Sequence, residues 1–552
     1  MTKALFLFPP ITSPTYVPLG LASLAAYIRA EAPACCLRVL DLNITAWTSL
    51  ADREPGGREM MAFMQGKAGD FYDETAYGSH KKTWQRLWKR LHLLGAGAQR
   101  YLDKGEADDD FFEFIDRQVA GVLDQEPELI GISVMFFDQL AFALALAKRI
   151  SRHFTGKPVS ASGRARPRPS MILGGAAMAS IRADNILRHC DFIDGIVIGE
   201  GEAGAAALCR GQAMDTVPEL IFRSLNRIHR NRCRRTLSFQ HLPPPDYSDF
   251  DLSGYFNPEP VLPALFSRGC QWRKCRFCVH HTSFFSYRRK ALSVFSAELR
   301  NCREKYGARH IYLADQYIVA SDLEHLADEF IDSNLNIAFH VMGRPNREHT
   351  PERLQKLFQA GCRWICWGTE SGSQRLLDLA GKGTRVADIE EVLKNAAECG
   401  ISNLVMMIFG LPTSSELDLQ YTLEFLDRIS PFTDAFSSSA FVLWTHSPFG
   451  RHKEAYGLSV TGQEVLFQVS GAPLYSLRLK HLERAEDGGL RPSRGPLEIS
   501  VWEQRRRWIA PHTFLEGLPC EHYLLFSAAR RTGRSRSGSD DRPPKLSQSR
   551  AA

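Results

Sequence analysis

The chain has 552 residues, too many for a single hydrophobic core, and length alone implies roughly two to four domains. A hydrophobic share of 44 % with 24 % charged residues is that of a globular protein, and no stretch approaches the roughly 20 uninterrupted apolar residues of a membrane span. The net charge of +6 is small for this length and comes partly from the Arg-rich last residues, so it does not by itself argue for a nucleic-acid partner.

The opening MTKALFLFPP carries one Lys and a short apolar run that stops at two prolines, which reads as a first buried strand and not as a signal peptide. Thirteen cysteines scattered without a secretory signal point to reduced thiols or metal ligands in the cytoplasm. From residue 3 to about 210, short apolar runs (ALFLF, LRVLD, LIGISVMFF, MILGG, FIDGIVIGEGE) alternate with amphipathic stretches such as PLGLASLAAYIRA and LAFALALAKRI. That alternation predicts an α/β fold, a Rossmann-like doubly wound parallel sheet over residues 1–215. A helical insertion interrupts it at about 46–125, where Trp84, Leu87, Trp88 and Leu91 recur at helical spacing, as a packing stripe rather than a substrate entrance.

Proline density predicts a linker over 216–260. A second alternating series, from PALFS to AFSSSAFVL, gives about six β/α units and predicts a partial (β/α)6 barrel over 261–450. Periodicity then fades into a C-terminal extension, 451–525, in which Trp502, Trp508 and Phe514 hint at packed structure. Residues 526–552 are rich in Arg, Ser and Pro and are expected to be a disordered basic tail, a solvated terminus more than a nucleic-acid contact.

The most informative stretch is Ser267-Arg-Gly-Cys-Gln-Trp-Arg-Lys-Cys-Arg-Phe-Cys278, just after the first predicted barrel strand. Thiolates at Cys270, Cys275 and Cys278 suit an iron–sulfur cluster or zinc, and Arg268, Arg273, Lys274 and Arg276 are expected to favour the deprotonated thiols. With His280 or His281 as a fourth ligand the site is a zinc site; with three ligands on one loop, one cluster iron stays open. Uncoordinated core cysteines are the third reading.

R-G-C-x-W-x-x-C-x-F-C, with the later Tyr287-Arg288 pair, resembles the cluster loop of the cobalamin (B12)-binding-domain-containing radical S-adenosylmethionine (SAM) proteins, in a version with four residues between the first two cysteines. The resemblance runs over about residues 5 to 450. It implies a [4Fe–4S] cluster on Cys270, Cys275 and Cys278 that reductively cleaves SAM to a 5′-deoxyadenosyl radical, with a flavodoxin- or ferredoxin-type electron donor and a small-molecule or peptide substrate. It further implies SAM contacts from Phe277, from Ala314, Asp315 and Gln316, from Arg344, from Gly368 and Glu370 in W-G-T-E-S-G-S, and from Gly410 in M-I-F-G-L-P, where a glycine permits close approach of the nucleoside. Most of these lie at predicted strand C-termini, the functional face of such a barrel; Asp315 and Glu370 also read as helix caps or salt-bridge partners.

In the front domain, Pro10, Leu19 and Gly20 in the first strand–helix loop, Ser133, Gly174-Gly175 and Gly199-Glu200-Gly201-Glu202 fall on one sheet edge and resemble the cobalamin-binding domain of that family; turn glycines are the plainer reading. The D-x-H-x-x-G loop of many cobalamin proteins is here Asp41-Leu-Asn43-Ile-Thr-Ala46, so no cobalt-ligating histidine is predicted. Methylation of an unactivated carbon in a natural product, peptide, lipid or tetrapyrrole leads, with oxidative cyclisation or rearrangement as its variant. A radical SAM enzyme without cobalamin and a non-catalytic iron–sulfur or cobalamin sensor are the alternatives. Methylthiolation needs a second cysteine cluster, for which Cys35, Cys36, Cys190 and Cys209 lack the grouping.

Overall fold

The computed structural model describes residues 2–154, 167–225, 227–231, 237–280, 286–485, 487–509 and 514–531. The N-terminal sheet starts with β1 (Lys3–Phe8), whose apolar run is buried from its second residue on, as a central parallel strand covered on both faces must be. It continues through α1 (Leu19–Glu31), β2 (Cys36–Asp41), α2 (Leu42–Arg53), α3 (Gly57–Met64), α4 (Glu74–Lys104), α5 (Asp109–Leu123), β3 (Leu129–Ser133), α6 (Asp138–Phe154), β4 (Ser170–Gly174), α7 (Ala183–His189), β5 (Gly195–Val197) and α8 (Glu202–Cys209). The stretch from α2 to α5 supplies the helices expected there, and α4 is bounded by an Asp73 cap, which accepts from Thr75 and Ala76 N–H, and by Gly105 in the left-handed region. Trp84 and Trp88 pack on Trp47, with centroids 5.1 and 5.5 Å away, so the stripe is a packing face: Leu87 and Leu91 are in the core and the half-buried tryptophans lie against it.

The proline-rich stretch does not begin as a linker. Leu220–Ser224 (β6) and Arg227–Arg230 (β7) add two antiparallel strands to the sheet, giving the order β2-β1-β3-β4-β5-β6-β7. Their hydrogen-bond partners lie in β5 and in each other, so local proline content did not reveal them. The chain order reverses between β1 and β3, a switch point outside whose strand ends doubly wound sheets take ligands.

The second sheet is built from β8 (Val261–Ala264), β11 (His310–Leu313), β12 (Ala338–Gly343), β13 (Cys362–Glu370), β14 (Ser402–Phe409) and β15 (Ala435–Ala440), in the order β15-β14-β13-β12-β11-β8. All its pairings are parallel, and α9 (Leu292–Tyr306), α10 (Ala320–Asp332), α11 (Pro351–Gln359), α12 (Gln374–Leu379), α13 (Val386–Cys399) and α14 (Glu416–Ile429) intervene, which is the expected six-strand partial barrel. Between β8 and α9 a short antiparallel ribbon, β9 (Ser267–Arg268) with β10 (Arg288–Arg289), closes the base of the cysteine loop.

Beyond α15 (Pro448–Arg451) the chain is more ordered than its fading periodicity implied: β16 (Leu458–Val469), β17 (Ala472–Arg484) and β18 (Leu490–Pro492) form an antiparallel sheet, followed by α16 (Gly495–Ile509) and α17 (Cys520–Arg531). The expected disordered tail is therefore wrong for 526–531, which finish α17; Phe526 is fully buried and stacks on Phe71, centroids 5.2 Å apart. Residues 532–552 lie outside the described residues, as do the side chain of Trp508 and all of His281. Helix α17 packs against the β11, β12 and β13 strands, where Tyr312, His340 and Trp364 form a stack capped by Tyr523. No described helix is long and apolar enough to cross a membrane.

Candidate functional site

The cysteine loop is fastened before it can bind anything. Gly269, at φ +84°, turns the chain out of β9 so tightly that a Cβ there would stand 2.9 Å from Ser286 O, which explains the glycine before Cys270. On the barrel side, buried Asp315 at the end of β11 accepts from Phe266 N–H (3.0 Å), Ser267 N–H (2.5 Å) and Ser267 Oγ–H (2.6 Å). Further along, Trp272 Nε1–H donates to Gly381 O (3.0 Å), Arg276 N–H to Ala380 O (2.8 Å) and Phe449 N–H to Arg276 O (3.0 Å). The loop is thus clasped by the Leu379-Ala-Gly-Lys-Gly383 turn after α12 and by α15.

Cys270, Cys275 and Cys278 line one cavity of about 380 Å³ with Gly269, Arg273, His280, Ser286 and Tyr287. Burial pushes the Cys275 thiol up to about 11 and raises that of Cys278; among cations, Lys382 opposes this at both. Of the basic residues named from sequence, Arg273 is on the cavity wall, while Arg268 pairs with glutamates, Arg276 donates to Leu379 O, and Lys274 lies over the Trp272 ring. Among the described residues no three His, Cys, Asp or Glu side chains are gathered tightly enough for a single metal ion, as structural zinc requires. Three soft thiols around a shared cavity, with no carboxylate among the described residues of its wall, fit a cluster whose irons are ligated one per cysteine.

The SAM candidates gather at the C-terminal ends of β11 to β14. Arg344 lies over the Trp272 ring, 3.7 Å from its centroid, and donates to Lys382 O at 3.2 Å. Glu370, at φ +69°, receives Lys382 Nζ at 2.7 Å beside Gly368, and both partners of that pair are buried. Gln316 Oε1, Arg344 Nε and Thr369 Oγ1, at the ends of three adjacent strands, are buried without a hydrogen-bond partner among the described residues, an arrangement that suits a polar ligand at the barrel mouth. Ala314 is half-buried against the core, its N–H bonded to Ala264 O, and the Phe277 ring packs on the apolar cluster around Phe441 and Phe449. Gly410 departs from expectation: its φ of +71° permits close approach, but what approaches is Gly495 at the start of α16.

Asp315 also gives a test. Burial pushes its carboxyl up to about 6, with the Ser267 and Phe266 donors opposing. A folded-state value above the unfolded one means the native state keeps a proton that the unfolded chain releases, so this contribution to stability is full below about pH 4 and is lost as pH rises through about 6. In urea unfolding of the iron-free protein, the wild type should lose up to about 3 kcal/mol across that window from this group, and Asp315→Asn should lack that slope.

At the edge of the first sheet a cavity of about 470 Å³ is lined by Phe6, Leu24, Gly131, Ser133, Gly174, Gly175, Val197, Gly199 and Gly201 among others. It gathers Ser133 and four of the predicted glycines. Pro10, Leu19 and Gly20 are not on its wall; Leu19 is core and Gly20 is exposed. Nor are Glu200 and Glu202, contrary to expectation: Arg268 Nη1 bonds Glu200 at 3.0 Å, Arg268 Nη2 pairs with Glu202, and Arg288 pairs with Glu200 through both terminal guanidinium nitrogens. Asn43, in the place of a cobalt-ligating histidine, accepts from Thr12 N–H (3.1 Å) and donates to Ser13 O (3.3 Å), which spends it on the first strand–helix loop.

The radical SAM superfamily model matches residues 265–426, from the end of β8 to α14. Residues 265–426 are a radical SAM domain. The chain is 25 % identical over 276 residues to an uncharacterized methyltransferase of Pyrococcus horikoshii, covering 47 % of this chain and 59 % of that protein. It is 25 % identical over 297 residues to the anaerobic magnesium-protoporphyrin IX monomethyl ester cyclase of Cereibacter sphaeroides, covering 51 % and 48 %. The chain thus spans about half to three-fifths of the curated relatives it matches. Its fold is similar to that of the cobalamin-dependent SAM radical enzyme OxsB with aqua-cobalamin and SAM bound, with a TM-score of 0.62, 15 % identity, and coverage of 97 % of this chain and 71 % of that one. The likeness covers the N-terminal sheet as well as the radical SAM domain. Sequence reasoning missed Lys382 and Glu498; the Gly-Lys-Gly turn was the only local sign of the first.

Proposed function

We propose that this chain is a cobalamin-dependent radical SAM enzyme that methylates an unactivated carbon of a small-molecule or peptide substrate. The observation that carries the reading is the pairing of two cavities: three cysteines around one at the C-terminal face of the barrel, and around the other, in the adjoining sheet, the glycines and Ser133 at the ends of β3 to β5 with apolar residues of α1 and α8. When bound, the cluster with SAM supplies a radical able to take hydrogen from carbon, and cobalamin supplies a methyl group. The chain's own residues bind and orient. Cys270, Cys275 and Cys278 would hold the cluster as thiolates, their protons released to solvent; Gln316, Arg344, Thr369 and Glu370 present polar groups to SAM; and Ser133, Gly174, Gly175, Gly199 and Gly201 let a flat macrocycle lie against backbone. Phe277, Ala314, Asp315, Gly368 and Gly410 shape the same mouth from behind. A low-potential flavodoxin or ferredoxin in the cytoplasm is the electron source this chemistry requires. Cyclisation is the second reading, favoured by the likeness to the magnesium-protoporphyrin ester cyclase.

Anaerobic reconstitution with iron, sulfide and hydroxocobalamin tests the reading by metal analysis. About four irons and one cobalt per chain are expected, with the iron lost in a Cys270/Cys275/Cys278→Ala triple variant. Iron without cobalt refutes the cobalamin half, and no cysteine-dependent iron refutes the whole.

A further inference from the structure

The loop between β5 and α8 has two faces. Gly199 and Gly201 are on the wall of the sheet-edge cavity, and Glu200 between them points the other way, into the barrel domain. There it takes Arg268 on the strand before the cysteine loop and Arg288 on the strand after it, the two residues paired across the β9–β10 ribbon. Glu202 takes the second arm of Arg268. The side chains of Arg268, Glu200 and Glu202 are 7 %, 5 % and 5 % exposed, so water does not loosen the link. Arg268 is followed directly by Gly269 and Cys270, both on the wall of the cysteine cavity. One carboxylate therefore joins the two cavities through a single residue on each side.

We propose that Glu200, with Glu202, Arg268 and Arg288, is a coupling clamp through which occupancy of the sheet-edge cavity sets the geometry of the cluster loop, and the cluster in turn sets the affinity of that cavity for its ligand. The proposal rests on the reading of the two cavities as cobalamin and cluster sites. These four are positioning residues, since none of Glu200, Glu202, Arg268 or Arg288 is on either cavity wall. A ligand seated against Gly199 and Gly201 must shift or fix the peptide that carries Glu200, and buried bidentate pairs transmit such a shift with little slack. Coupling of this kind is reciprocal.

The test is the affinity of the full chain for hydroxocobalamin, titrated by absorbance on the iron-free and the cluster-loaded protein, with the reduced-cluster EPR spectrum recorded on both sides of saturation. In the wild type the two affinities are expected to differ by about tenfold, and the EPR line shape to change on saturation. In Glu200→Gln/Glu202→Gln the ratio falls to one and the EPR response disappears while both cofactors still bind. Arg288→Lys, which keeps the charge on the less buried arm but removes its fork, serves if the double variant does not fold or load iron; it should lower the ratio severalfold. Wild type that binds no cobalamin overturns the cobalamin reading and the clamp with it. Wild type that binds both cofactors with equal affinities, or variants that keep the wild-type ratio, overturns the clamp alone.

Discussion

Lys382→Met should destabilise the iron-free protein by about 3–5 kcal/mol, read from urea unfolding at neutral pH. The Lys382 ammonium and the Glu370 carboxylate are both buried and 2.7 Å apart, and no other hydrogen-bonded cation reaches Glu370 among the described residues. Burial acts against the charge on Lys382, yet Glu370 and the Cys275 thiol outweigh it and hold the ammonium above its ordinary range. Removing that cation strands a carboxylate in a site it occupies only because it is paired. Glu370 also sits at φ +69°, a conformation that costs a non-glycine residue on the order of 1–3 kcal/mol, and the ion pair is what the structure offers to hold it there. Glu370→Gln added to Lys382→Met should return much of the loss, because both charges are then gone. A single-variant loss under about 1 kcal/mol would mean that the pair is solvated. Iron loading should fall as well, since Lys382 counters the effect of burial on the Cys275 and Cys278 thiols.

What was legible in the sequence was what is local. The three cysteines stand within nine residues, and central parallel strands such as β1 and β13 announce themselves as apolar runs because they are buried on both faces. The strand-end residues from Asp315 to Gly410 were named by the family resemblance, and the counted barrel units put most of them at strand ends. What was not legible depends on partners far along the chain. Glu200 and Glu202 looked like edge residues because Arg268 and Arg288 lie 66 to 88 positions away. β6 and β7 are short, the second of them almost wholly polar, and are strands because β5 offers an edge. The long hairpin and α17 carry weak periodicity since they pack on surfaces made by other segments: Tyr475 N–H on Asn185 Oδ1, His522 between Tyr77 OH and Phe256 O, Tyr523 on Trp364.

Gly410→Ala is expected to cost about 2–5 kcal/mol and to free α16. At φ +71° a side chain is strained whatever the space, by about 1–2 kcal/mol. The space is also absent: a Cβ would come within 2.5 Å of Gly495 Cα and 3.0 Å of Ser493 Oγ, and still nearer to Gly495 N. Two of these atoms are backbone, so the collision can be relieved only by moving the start of α16. That movement breaks a specific joint, because Glu498 on the first turn of α16 accepts Gly410 N–H through one oxygen and Ser414 Oγ–H through the other, each at 2.8 Å. Trp502, buried against Phe436 of β15 one turn further on, would lose its seat with it. Limited proteolysis should therefore cut the variant near residues 485–509 much faster than the wild type, and Glu498→Ala should reproduce the cutting without any change at Gly410. If Gly410→Ala instead leaves α16 protected while SAM cleavage falls, the glycine serves the nucleoside as the sequence resemblance implied. If both change, α16 is part of the wall that the nucleoside meets, and Glu498→Ala, which leaves the backbone of Gly410 intact, should lower SAM binding by the same factor.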